Sequence, residues 1–121
     1  MTRGESTKDL RERTTEFALR VMSVCDALPR SRSGNLAAYQ LTRAGTSVGA
    51  QYREAYRARS RAESISKIES TLQELEESSY WLEIIAKRKM LNPGRLSPLQ
   101  KEADELTAIL VTCVRKMKGE R

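Results

Sequence analysis

Apolar residues recur along this chain at alternating steps of three and four, the spacing of one face of an α-helix, in four separate stretches. In the first, Leu10, Phe17, Val21, Val24 and Leu28 form a heptad-like seam with Thr14 at its polar step, and Ala18, Met22 and Cys25 widen it. The second carries Leu41, Ala44, Val48 and Ala55, interrupted by Gln51. In the third, Ile65, Ile68, Leu72, Leu75, Leu82 and Ala86 make the stripe, with Ser79 at the polar step. Leu99, Ala103, Leu106, Leu110, Cys113 and Met117 repeat the spacing in the fourth, broadened by Ile109 and Val114. These stripes predict helices over about 8–28, 36–58, 61–90 and 98–118, after a frayed polar terminus at 1–7.

Turn chemistry places the breaks. Pro29 stops the first helix, and the linker RSRSGN offers Ser33 or Asn35 as the next N-cap, because a short side-chain oxygen accepts an orphan amide proton there. Ser60 caps the third helix, with Glu63 three residues on completing a capping box. Asn92, Pro93 and Gly94 form a turn, and Ser97 followed by Pro98 reads as a cap with proline at the first helical position. Gly45 and Gly49 cost helix propensity unless they admit a neighbouring backbone, so a tight helix contact is expected at that level. Nothing is strand-like or repeated. Four amphipathic helices on short loops predict an all-α, antiparallel up-down-up-down four-helix bundle forming one domain over 1–121.

A chain of 121 residues buries a core without metal or disulfide staples. Cys25 and Cys113 are far apart, each in an apolar stripe, and are expected to be reduced core residues. There is no histidine, which removes the commonest general base and the commonest metal ligand. Enzyme function is therefore disfavoured, and no cofactor or metal is expected. Gln51 and Glu54 with Glu74, Glu76 and Glu77 are the one set that suggests acid–base or metal chemistry. No Glu-x-x-His pair accompanies them, and a buried Arg43–carboxylate bridge that sets helix register accounts for the same residues. No apolar run is long enough to span a membrane and the first 20 residues lack a signal-peptide centre, so a cytoplasmic protein is expected.

The formal charge of +6 favours polyanionic partners, and its distribution sharpens the point. Between Leu36 and Arg61 five arginines stand against Glu54, whereas between Ala62 and Ala86 six glutamates stand against Lys67. Antiparallel packing of these neighbours neutralises part of both. Yet Arg53 and Arg57 share a helical face and Arg59 and Arg61 follow at the elbow, so a phosphate backbone could meet several guanidinium forks at once. The competing reading is a solvated face with Glu54, Glu63 or Glu69 as ion-pair partners. Tyr52, Tyr56, Tyr80 and Trp81 lie beside the stripes, where an aromatic body with a polar tip suits an oligomer interface or a wide core on the second and third helices.

The segment RAGTSVGAQYREAYRARSRAESISKI, followed by ELEESSYWLEII, resembles the four-helix-bundle family of proteins encoded in intervening sequences of bacterial large-subunit ribosomal RNA genes. Relatives of that family include the accessory variability protein of diversity-generating retroelements. The shared pattern falls on Arg43, Ser47 to Arg53, Arg59, Ser60, Glu63, and Glu77 to Leu82. Gln51 replaces the family's usual asparagine, and Ser64 stands where an aromatic is common, removing apolar bulk near the start of the third helix. The resemblance implies a ring-like homopentamer without catalytic residues. In the retroelement branch it implies a basic ring that binds nucleic acid and a reverse transcriptase. The expected function is a non-enzymatic oligomeric accessory protein that binds RNA or DNA through Arg53, Arg57, Arg59 and Arg61, with little sequence preference. The alternative is a structural or protein-docking homo-oligomer that binds no nucleic acid.

Overall fold

The computed structural model describes residues 3–119, with side chains from residue 10 onward. Four helices follow one another: α1 (Arg3–Asp26), α2 (Arg32–Tyr56), α3 (Arg61–Lys87) and α4 (Pro93–Met117). Each packs against its neighbours in sequence, and α4 closes the square against α1. The result is the antiparallel four-helix bundle that the stripes predict. Residues 1 and 2 of the expected polar terminus lie outside the described residues; from residue 3 the backbone is already helical, because polar residues propagate a helix once its first turn exists.

The core runs the length of the bundle. Phe17 and Val21 of α1 meet Leu41 and Val48 of α2, Leu75, Leu82 and Ile85 of α3, and Leu96, Leu99, Leu106 and Leu110 of α4, all fully buried. On α3 the deepest line is Ile68, Thr71, Leu75, Ser78, Leu82 and Ile85. It shares three residues with the expected stripe and replaces Ile65, Leu72, Ser79 and Ala86, which are half-buried. Thr71 and Ser78 are tolerated there because each hydroxyl donates to the carbonyl one turn back, Lys67 at 2.9 Å and Glu74 at 2.8 Å. A polar residue that satisfies itself within its own helix carries no hydrophobic signal, so the pattern alone cannot place it inside.

Two further helix starts differ from the expected ones. Ser31, not Ser33 or Asn35, caps α2, its Oγ accepting from the Gly34 amide at 3.0 Å. The linker lies so close over this turn that a Cβ on Gly34 would fall 1.9 Å from the Pro29 carbonyl oxygen. At α4 the cap is Asn92, whose Oδ1 accepts from the Gly94 amide at 2.7 Å, with Pro93 at the first helical position. Pro98 therefore sits inside the helix, where it leaves the carbonyl of exposed Gly94 to solvent. Both Asn-Pro and Ser-Pro carry the same start signature; the earlier one prevails because it brings fully buried Leu96 into the core.

At its far end α3 closes with a Schellman motif. The Lys89 amide donates to Ala86 and the Met90 amide to Ile85, at 3.1 and 3.0 Å, and Lys89 takes the left-handed conformation with φ 57°. Cys25 belongs to the core cluster and Cys113 packs on its edge, both as free thiols. Burial pushes the Cys25 thiol up, opposed in part by a hydrogen bond with Thr42, which keeps it in the unreactive protonated form.

The expected close contact between helices lies between α1 and α2. A methyl on Gly45 would stand 2.7 and 2.8 Å from the two Val21 methyls, whereas one on Gly49 would lie 3.4 Å from Thr14. Both exchanges gain about 1 kcal/mol of helix propensity, but only Gly45→Ala forces a rigid, fully buried neighbour to move, at about 1–3 kcal/mol. Gly45→Ala should therefore lower stability by about 1 kcal/mol and Gly49→Ala leave it unchanged or raised, as read from urea midpoints. Equal effects at the two sites would refute the contact.

Tyr52 is only 5% exposed, and burial pushes its phenol up to about 12. The unfolded chain releases that proton from about pH 10, so above this it binds fewer protons than the fold and stability falls as pH rises. The contribution is complete below about pH 10 and is lost between there and about 12. Tyr52→Phe should flatten the decline across that window, measured as denaturant midpoints at successive alkaline pH values; parallel profiles would show that Tyr52 is not the titrating group.

Candidate nucleic-acid interface

The elbow is built by local hydrogen bonding between α2 and α3. The Arg57 amide still reaches the Arg53 carbonyl at 3.1 Å, and Ala58 donates to Ala55 at 3.2 Å, which tightens the last turn. Ser60 then caps α3 as expected, its Oγ accepting from the Glu63 amide at 3.1 Å, while the Glu63 carboxylate reaches back to the Arg59 amide at 3.4 Å. The Ser64 hydroxyl donates at 3.1 Å to the Ala55 carbonyl, which also accepts from the Ala58 amide in the tightened last turn of α2. Ser64 thus replaces apolar bulk with a hydrogen bond that ties the start of α3 to the end of α2.

Arg53, Arg57, Arg59 and Arg61 are all exposed at this end of the bundle. Arg53 and Arg57 face a shallow groove with Glu54, Glu63 and Lys67. Among the described residues no carboxylate lies within 4 Å of any of the four guanidinium groups. The acids expected to neutralise them are engaged elsewhere. Glu54 takes Lys67 at 2.7 Å, Glu69 takes Lys118 at 2.8 Å, and Glu63 serves the cap. The hydrogen bond and charge of Glu54 hold the Lys67 ammonium above its ordinary range. Among the described residues, Arg53 donates to Thr15 at 3.2 Å and Arg61 to the Met117 carbonyl at the end of α4, also at 3.2 Å.

That last bond brings in cations which sequence inspection left out. Arg115 and Lys116 occupy the exposed last turn of α4, and Arg11 on α1 lies 4.5 Å from the centre of the Tyr56 ring. They come from helices more than forty residues away in the chain, so no window of sequence shows them beside Arg53 or Arg61. The signal that could have found them is topological: in an up-down-up-down bundle, the start of α1 and the end of α4 share an end with the α2–α3 turn.

The four aromatics expected at an oligomer interface do not form one group. Tyr52 packs inside the chain's own core, which corrects its placement at an interface: it already serves this bundle. Tyr56 is 49% exposed beneath Arg11 at the elbow. Tyr80, 55% exposed, meets Trp81 edge to face at 5.4 Å and 77°, far along α3 from the elbow, and Trp81 leans on the core. Arg43 bridges α2 to α3 through Glu77, with Glu74 at 3.7 Å, as the register reading requires. The bridge lies on the surface and is not buried, since the Arg43 side chain is 42% exposed. Gln51 is half-buried, and among the described residues no cluster of His, Cys, Asp or Glu is arranged to hold a metal ion. Nor is any described helix long and apolar enough to cross a membrane.

Among curated proteins none matches this chain. Among solved structures, a protein of unknown function from the S23 ribosomal protein family of Bacteroides thetaiotaomicron VPI-5482 shares the fold with a TM-score of 0.82. The two are 28% identical over 88% of this chain and 98% of that one. Residues 7–112, from the first helix to near the end of the fourth, match the family described as 23S rRNA-intervening sequence protein. With that match spanning most of the sequence, the chain belongs to the 23S rRNA-intervening sequence protein family.

Proposed function

We propose that this protein acts by binding and not by catalysis: a self-associating accessory protein that holds RNA or DNA by its phosphate backbone at the elbow. The observation that carries this reading is the set of four exposed arginines, Arg53, Arg57, Arg59 and Arg61, at one end of a rigid bundle with no carboxylate within ion-pair distance among the described residues. An arginine without an acidic partner keeps its fork free for two phosphate oxygens, whereas a paired one must first break that bond. Backbone contacts of this kind position a strand without reading its bases. In a retroelement setting, a reverse transcriptase is the protein partner that the resemblance to retroelement accessory proteins suggests.

Self-association is supported by Leu19, Met22, Leu36, Tyr39 and Tyr80, large apolar side chains left open on α1, α2 and α3. Light scattering at tens of micromolar should give a mass several times 13.7 kDa, with five subunits the expected count. A strictly monomeric protein at that concentration would remove the oligomeric part of the reading.

Nucleic-acid binding is tested by a salt titration against duplex DNA, single strands and structured RNA. Each phosphate neutralised releases condensed counterions, giving a slope of log affinity against log salt of about −0.9 per contact on duplex and about −0.7 on single strands. Replacing the four arginines together with glutamine should flatten the duplex slope by up to about 3–4 while helicity and oligomer mass stay unchanged. If the wild type binds none of these ligands at low salt, or the folded quadruple variant keeps the slope, the docking-module alternative replaces this reading.

A further inference from the structure

The α1–α2 and α3–α4 turns lie together at the end of the bundle opposite the elbow, and they too are basic. Within 26–32 and 83–95 six cations, Arg30, Arg32, Lys87, Arg88, Lys89 and Arg95, stand against Asp26 and Glu83. Glu83 is occupied by Lys87 at 3.0 Å on its own helix. Arg30, Arg32, Arg88, Lys89 and Arg95 are exposed, and among the described residues none has a carboxylate within 4 Å. The turns themselves are rigidly held, by the Ser31 cap on one side and the Schellman closure of α3 and the Asn92 cap on the other. This pole therefore repeats the property that distinguishes the elbow: fixed backbone, several arginines and, among the described residues, no carboxylate within ion-pair distance of them.

The two poles are separate patches of charge. Helices of 24 to 27 residues, at about 1.5 Å per residue, separate them by about 36–40 Å, several times the roughly 8 Å screening length at physiological salt. The waist between them carries Glu74, Glu76 and Glu77 on α3 and Glu102, Asp104 and Glu105 on α4. Those carboxylates, only partly taken by Arg43 and Arg13, oppose a phosphate backbone lying along that side from pole to pole.

We propose that the pole formed by Arg30, Arg32, Arg88, Lys89 and Arg95 is a second phosphate-backbone site for nucleic acid, so that one chain holds two separate segments at once and bridges them. The proposal rests on the elbow reading for the identity of the ligand, but not for the existence of the pole. It adds bridging by a single chain, whereas an oligomer with one elbow per subunit bridges only through different chains.

The test uses the full chain, a bead-bound duplex of about eight base pairs, at about 3.4 Å per pair too short to reach from pole to pole, and a second, fluorescent duplex of the same length in solution. The far-pole variant replaces Arg30, Arg32, Arg88 and Arg95 with glutamine and Lys89 with glycine. Glycine suits the positive φ at position 89, so the charge is removed without strain. The elbow variant is the quadruple glutamine form described above, and circular dichroism and light scattering establish that each keeps helicity and mass. Wild type should carry the fluorescent duplex to the bead. Each variant should still bind one duplex per chain and bind about half as much per chain at saturation as wild type. A folded far-pole variant that binds as much duplex per chain at saturation as wild type overturns the bridging proposal and leaves the elbow reading standing. So does an elbow variant that binds no duplex at all. Wild-type protein that binds no duplex overturns both.

Discussion

The contact of Gly45 with Val21 sets the separation of α1 and α2, and much of the elbow's geometry follows from it. Without a Cβ at position 45, the two backbones approach until the Val21 methyls fill the space a side chain would need. At that distance Thr15 comes within reach of Arg53, and Arg11 comes over the ring of Tyr56. The glycine costs helix propensity at a place where only close packing compensates. This close contact lies on the same α1–α2 seam as the basic residues near the end of α2, about two helical turns away.

Charge is distributed by the same economy of partners. Acids on the waist bind cations that hold helices together. Arg13 makes two hydrogen bonds to Glu102, at 3.0 and 2.6 Å, with Glu105 adding a contact at 3.2 Å, across the α1–α4 seam that closes the bundle. Arg43 does the same between α2 and α3 through Glu77. These bridges are partly exposed, so they align helices more than they stabilise them. Near the ends Glu54, Glu69 and Glu83 are taken by Lys67, Lys118 and Lys87, and among the described residues the arginines there are left without a carboxylate partner. A sequence balanced between acidic α3 and basic α2 becomes a bundle whose charge is sorted by position along its axis, and that sorting is what the binding proposals rest on.

The architecture was legible in the chain because it depends on periodicity, which is local. Three- and four-residue steps in each stretch specify four helices, and short loops leave antiparallel neighbours as the arrangement that buries all four stripes. The Ser60 cap and the tight Gly45 contact could be read for the same reason: each is a short-range consequence of residue type. The arginines at 53, 57, 59 and 61 were visible as a cluster because they are close in sequence, and the resemblance to the intervening-sequence family rested on the same segment, which the match over residues 7–112 contains.

What the tertiary structure alone decided lies in choices between locally equal alternatives. Asn92-Pro93 and Ser97-Pro98 are equivalent helix starts until burial of Leu96 separates them. Thr71 and Ser78 look like surface residues until their hydroxyls turn back onto their own helix and let the face rotate inward. Tyr52 and Tyr56 are a turn apart and chemically alike, yet one fills the core and the other lies open beneath Arg11. Which glutamate meets which cation followed from register and helix order, neither of which a linear charge count contains. The sequence by itself determined four helices, their order and a basic elbow, because those depend on neighbours in the chain. Only the fold decided which cations were left without acids at each end, because that depends on neighbours in space.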